Sequence, residues 1–263
     1  MSGQNVQKLK KLLSSWPKNA AVTSSWLTKN GFYRQLVNKY VDAGWLKREA
    51  RGVYSRLNDN VGWEGLLYAL QQEFLGVFHL GAYSALEHSG FAHFVRMTDF
   101  STLFLFVNDS KRRQKLPTWF KEAIKNKAEI VSVRKKLFND DHFGLKNQEI
   151  SSVLLKMSIP ERAILEMLAL VPKKENFEHA HYVFQGLRQM RPRIVQEALE
   201  KCLSIKAKRL FLHLAEKNNF PLLKNLSLSA VNLGRGDRKI GVGGCYDAKY
   251  HLSVPIIKGE ENV

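Results

Sequence analysis

Apolar residues in the first turns of the chain, Val6, Leu9, Leu12, Leu13 and Trp16, recur at helical spacing, with Lys8, Lys10 and Lys11 mostly on the other side. The pattern predicts a first helix ended by Pro17. A short second helix is predicted at TSSWLTKNG, where Thr23 or Ser24 supplies a cap oxygen and Asn30-Gly31 the stop. In YRQLVNKYVDAG, Leu36, Val37, Tyr40 and Val41 make one apolar stripe that ends at Gly44. WLKREA and VYSRL then read as two short strands turning at Arg51-Gly52, where glycine tolerates a positive φ. Helix, turn, helix and basic hairpin is the order of a winged helix-turn-helix domain.

VGWEGLLYALQQEF is amphipathic through Trp63, Leu66, Leu67 and Leu70 and closes this small domain, predicted over residues 1–75. The remainder, 76–263, is predicted as one larger domain. There VFHLGAYSALEHSG reads as strand, glycine turn and helix, and STLFLFV and AEIVSVRKKLF as strands. SSVLLKMSIPERAILEMLALVP is a strand running into a helix, with Ser158 and Glu161 at capping-box spacing and Pro160 in the first turn. RPRIVQEALEKCLS and IKAKRLFLHLAEKNN are two helices, lined by Val195, Ala198, Leu199 and Cys202 and by Leu210, Phe211 and Leu214. The expected class is α+β: an N-terminal winged helix-turn-helix, then a larger mixed α/β domain ending in a helical hairpin.

Charge turns this outline towards a partner. The chain has 41 Lys and Arg against 24 Asp and Glu, a net +17 that attracts a polyanion. Residues 1–60 alone carry eleven cations and three anions, a net +8. The polar face of the third helix offers Arg34, Gln35, Asn38 and Lys39, donors suited to guanine or adenine edges and to phosphate oxygens in a major groove. Lys47, Arg48, Arg51 and Arg56 on the hairpin suit a phosphate backbone, which positions a domain without reading sequence. Residues 33–39 are thus expected in a groove of double-stranded DNA and 47–56 as the wing. The other reading of these cations is a winged helix for protein contact, with its charges merely solvated. Lys201, Lys206, Lys208 and Arg209 cluster near the turn between the late helices, either as a second basic patch for phosphate or as a solvated cluster.

Chemistry beyond binding finds little support. GRGDRKIGVGG lacks the Gly-Lys-Ser/Thr ending of a phosphate loop and reads as a β-turn. His179 and His181 are two apart and His88 and His93 five apart, neither pair at helical zinc spacing. Glu161 and Glu166 have no metal-ligand partner at a suitable spacing. Cys202 and Cys245 read as free thiols, with Cys202 on the apolar side of its helix. No catalytic residue, cofactor or metal is expected. The start of the chain has no apolar core of signal-peptide length, and no run approaches about 18 apolar residues, so a cytoplasmic protein without membrane contact is expected.

TSSWLTKNGFYRQLVNKYVDAGWLKREARGVYSR, WEGLLYALQQ, IPERAILEMLALVP and RPRIVQEALEKCLSIKAKRLFLHLAEK occur in that order over nearly the whole chain. Together they resemble the AbiEi family of type IV antitoxins, also described as transcriptional regulators. The resemblance implies a bacterial abortive-infection operon, in which this chain is encoded beside an AbiEii-type nucleotidyltransferase toxin. It implies an N-terminal winged helix that binds inverted repeats in its own promoter cooperatively, bends the DNA and represses transcription. A C-terminal domain would counteract the toxin without a stable complex. By position, Arg34, Gln35, Asn38 and Lys39 fall on the recognition helix and Lys47, Arg48 and Arg51 on the wing; no catalytic residue carries over. Two further readings stay open: a nucleic-acid-directed enzyme that reverses the toxin's effect, and a basic module that docks on an acidic face of the toxin and blocks it.

Overall fold

The computed structural model describes residues 10, 12–91, 101–108, 114–241 and 244–257. Part of the expected first helix (Val6, Lys8, Leu9, Lys11), His93 of the second histidine pair and Gly243 of the glycine-rich stretch lie outside the described residues. The chain forms two compact units, Met1–His79 with Thr98–Arg134 and Asn147–Lys156, and Leu80–Met97 with Lys135–Lys146 and Met157–Val263.

The first unit begins with helical residues 12–15 (α1), then β1 (Val22–Thr23), α2 (Ser24–Lys29), α3 (Arg34–Asp42), β2 (Leu46–Ala50), β3 (Val53–Arg56) and α4 (Trp63–Glu73). Local chemistry sets these boundaries. The Thr23 side chain accepts the Trp26 N–H at 3.3 Å and caps α2. Gly31, at φ +86°, turns the chain out of α2, and Gly44, at φ +71°, turns it out of α3. Leu36, Val37 and Tyr40 are buried, so the apolar stripe of α3 faces inward and its polar stripe outward. The strands form an antiparallel sheet in the order β1-β3-β2, pairing Val22 with Tyr54 and Leu46 with Arg56, with a register shift between Arg48 and Ala50. At Gly65, α4 meets the chain so closely that a Cβ would lie 2.1 Å from the Asn19 carbonyl oxygen, and only glycine fits there.

A five-stranded sheet runs in the order β6-β5-β4-β8-β7, from β4 (Phe78–Leu80), β5 (Ser101–Val107), β6 (Ala128–Val133), β7 (Leu145–Ile150) and β8 (Val153–Ser158). β5 and β6 pair in parallel from Ser101 with Ala128 to Phe106 with Val133. α6 (Thr118–Ile124) lies between those two strands in sequence. Buried Gln71 fastens α4 to this sheet: its amide donates to the Phe78 carbonyl at 3.2 Å and the Lys156 carbonyl at 2.9 Å, and its oxygen accepts the Lys156 N–H at 2.8 Å. A buried amide with its groups matched in this way avoids the desolvation cost of an orphaned one.

The second unit is built around α7 (Pro160–Leu170), a helix buried on nearly every side. α5 (Ala82–His88), α8 (Phe177–Gln185), α9 (Pro192–Lys201) and α10 (Ile205–Lys217) pack against it. The class is α+β. Two expectations are corrected. The late helices do not end the fold; each packs on α7, and the chain continues through two 3-10 turns into a small sheet, β10-β11-β9, made of β9 (Arg238–Lys239), β10 (Cys245–Asp247) and β11 (Leu252–Val254). The capping box at α7 is absent as well. Ile159 holds the cap position without a side-chain bond, because the Ser158 hydroxyl donates to Glu166 at 2.8 Å and Glu161 pairs with Arg191 at 2.9 Å.

Candidate nucleic-acid interface

Burial of Leu36, Val37 and Tyr40 leaves Arg34, Gln35 and Lys39 exposed and Asn38 half-buried on the outer side of α3. The β2–β3 hairpin stands beside that side. Its tip is held by Ser24 at the head of α2, whose N–H and hydroxyl both donate to the Gly52 carbonyl, at 2.8 and 3.1 Å. Gly52 makes this turn at φ +75°. Helix and hairpin enclose a cleft of about 540 Å³, with Arg34 and Asn38 on one wall and Arg48, Arg51 and Tyr54 on the other. Arg48 and Arg51 are exposed, and Arg48 Nη2 donates to Asn38 Oδ1 at 3.0 Å across the cleft.

Four of the eight residues expected to contact DNA therefore converge on one concave surface, while Gln35 and Lys39 are exposed on α3 outside its lining. Lys47 and Arg56 do not join it. Lys47 Nζ donates to the Asp59 carbonyl at 2.9 Å and pairs with Glu49 at 3.2 Å, while Arg56 pairs with Asp59 at 2.9 Å and donates to the Leu13 carbonyl at 3.3 Å. Their cations brace the base of the hairpin. Residues that the charge pattern misses also line the cleft: Ser24 and Thr28 of α2. Tyr33, 57% exposed directly before α3, adds an aromatic ring at the head of the helix. An exposed aromatic before a cationic helix is a signal available in the sequence; small hydroxyl side chains on the flanking helix are not.

The four C-terminal cations form no exposed patch. Lys208 and Arg209 are each 2% exposed. Arg209 donates to the carbonyls of Leu233, Gly236 and His251, tying α10 to the irregular chain that follows it. Lys201 pairs with Glu197 at 2.9 Å and Asp140 at 3.0 Å, and lies over the Phe143 ring. Lys206 donates to the Ala169 and Val171 carbonyls at the end of α7. Burial, with Lys135 and Lys173 nearby, lowers its pKa to about 8.

That shift predicts a pH effect of definite sign. From about pH 8 to about pH 10 the folded chain has released a proton that the unfolded chain still binds, so stability from this group rises with pH in that window. The neutral amine keeps two N–H donors for the two carbonyls. Melting curves of the protein and of Lys206→Met should show the native chain gaining relative to the variant between pH 8 and 10; parallel curves would refute this.

In the second unit a cavity of about 580 Å³ is lined by Lys173, Lys174, Glu175, His179 and Tyr182 among others. Buried Glu175 holds His179 Nδ1 at 2.9 Å. Cys202 is buried and its pKa raised, mainly by desolvation, which keeps the thiol protonated. Among the described residues no group of three or more His, Cys, Asp and Glu side chains is placed to hold a metal ion, and no helix is long and apolar enough to cross a membrane.

No curated protein matches the chain. A solved structure with a similar fold is that of the RV2827C protein from Mycobacterium tuberculosis, with a TM-score of 0.56 and 13% identity over 89% of this chain and 85% of that one. At that identity the likeness is one of fold alone. The family model described as "Transcriptional regulator, AbiEi antitoxin N-terminal domain" matches residues 5–97. The one described as "Transcriptional regulator, AbiEi antitoxin, Type IV TA system" matches residues 101–255. With most of its length so matched, the chain belongs to the AbiEi family of transcriptional regulators, the antitoxins of type IV toxin-antitoxin systems.

Proposed function

We propose that residues 1–75 act as a winged helix-turn-helix that binds inverted repeats in the promoter of its own operon and represses it, while residues 76–263 counteract an AbiEii-type nucleotidyltransferase toxin without a stable complex. The observation that carries the DNA-binding half is the cleft between α3 and the hairpin, where Arg34, Asn38, Arg48 and Arg51 converge. Its charged groups are all cationic, and the α3 side offers amides and guanidinium groups that suit base edges. Arg51 at the hairpin turn suits a phosphate. The antitoxin half rests on membership of the family.

Gel-shift titrations against duplex DNA from upstream of the gene, beside a scrambled duplex and at two salt concentrations, test the DNA-binding half. Preference for the native duplex is expected, with about six phosphate contacts giving a log-log salt slope near −5. Equal binding to both duplexes would reduce the basic charge to a general polyanion field and defeat the proposal. Co-expression of the full-length protein with the toxin tests the other half, with growth rescue that survives Arg34→Ala combined with Arg51→Ala, and failure of the pair to co-purify at low or high salt, as the expected results.

A further inference from the structure

The contact between Arg48 and Asn38 limits what the cleft can read. Arg48 Nη2 donates to Asn38 Oδ1 at 3.0 Å, and both side chains line the same cleft. A guanidinium has donors and no acceptor, so only the amide oxygen of Asn38 can face it; the orientation of the amide follows from chemistry. The carbonyl is turned to the hairpin, and the NH₂ is the end left for a further partner. Arg34, Arg48 and Arg51, the charged groups lining the cleft with it, also only donate.

Base edges distinguish such a surface. In the major groove guanine presents two acceptors, N7 and O6, whereas adenine presents the N7 acceptor beside an N6 donor. Asparagine selects adenine by turning both its oxygen and its nitrogen to the base. With its oxygen held by Arg48, Asn38 meets a base as a donor, and the remaining N–H groups of Arg48 add donors beside it. Resting on the DNA-binding reading above, we propose that Arg48 is a positioning residue that fixes Asn38 as a donor, so that the base facing Asn38 is read as guanine in preference to adenine. Lys39, exposed on the same helix, takes no part in this contact.

The test is selection from a pool of short duplexes with a randomised centre, carried out with the full-length protein, Asn38→Ala and Arg48→Ala. Asn38→Ala should flatten the preference at one position of each half-site, which identifies the base that Asn38 faces. At that position the native protein should prefer guanine over adenine by about tenfold, within the range of a two-point base contact. Arg48→Ala should preserve the other positions and shift this one towards adenine by a similar factor. The inference is overturned, with DNA binding left standing, by a native preference for adenine there, by an unchanged preference in Arg48→Ala, by a loss spread evenly over all positions in Arg48→Ala, or by Asn38→Ala flattening none. Failure of the native protein to enrich any sequence overturns the inference and the DNA-binding reading together.

Discussion

Glu166→Ala is expected to lower the melting temperature by about 10 °C, from the loss of a buried carboxylate worth about 3 to 5 kcal/mol to a charge left behind without it. Glu166 is fully buried on α7. Its Oε1 accepts from Arg162 Nε at 2.8 Å, and its Oε2 accepts from the Ser158 hydroxyl at 2.8 Å and the Ala82 N–H at 3.1 Å. One carboxylate thus joins the end of β8, α7 itself and the head of α5, where Ala82 starts its helix at φ +48°. Arg162 is nearly as buried, sits over the Phe138 ring and donates to the carbonyls of Asp141 and Phe143. Those neutral acceptors cannot balance its charge once Glu166 is gone. Arg162→Met with Glu166→Leu removes both charges and should recover part of the loss, but not all, since Ser158 and Ala82 still lose an acceptor. A melting temperature of Glu166→Ala within 2 or 3 °C of the native value would refute the role given to this carboxylate.

This network shows where sequence reasoning stops. Ser158 and Glu161 stand at capping-box spacing, and that motif is a local inference about a helix end. Both side chains instead answer distant partners, Glu166 and Arg191, and spacing alone cannot report a partner 30 residues away. The same limit applies to IKAKRL. Its cations look like a surface run, yet Arg209 turns inward and donates to three carbonyls of the chain between Leu233 and His251, partners at least 24 residues away that local sequence does not announce. What could be read were elements whose ends are set by neighbours in sequence: Thr23 capping α2, Gly31 and Gly44 closing α2 and α3, and Gly52 turning the hairpin. β1 escaped because two residues, Val22 and Thr23, are too short to display alternation, though they complete the sheet beside β3. The cleft was legible in part for the same reason. α3 is amphipathic and its polar face follows from its period, whereas the turning of Lys47 and Arg56 to Asp59 depends on tertiary geometry.

The largest effect on binding is expected from Arg34→Ala combined with Arg51→Ala. The two residues face each other across the cleft, one on α3 and one at the hairpin turn, and both are exposed. Their removal should leave the melting temperature within about 1 °C, since exposed substitutions of this kind change stability little. Each contact with DNA lost costs about 1 to 3 kcal/mol, so loss of the two should lower affinity for the upstream duplex by a factor between about thirty and about twenty thousand. The single variants separate two roles. Arg51→Ala should weaken native and scrambled duplexes alike and flatten the log-log salt slope by about one, as a phosphate contact does. Arg34→Ala should lower the ratio between native and scrambled duplexes, as a base contact does. Lys47→Ala and Arg56→Ala provide the contrast, because their cations are spent on Asp59 and Glu49 and their loss should register in the melting temperature before it registers in affinity. Gel shifts and melting curves on all five proteins decide the matter: full affinity in the double variant would mean that the cleft between α3 and the hairpin is not where DNA lies.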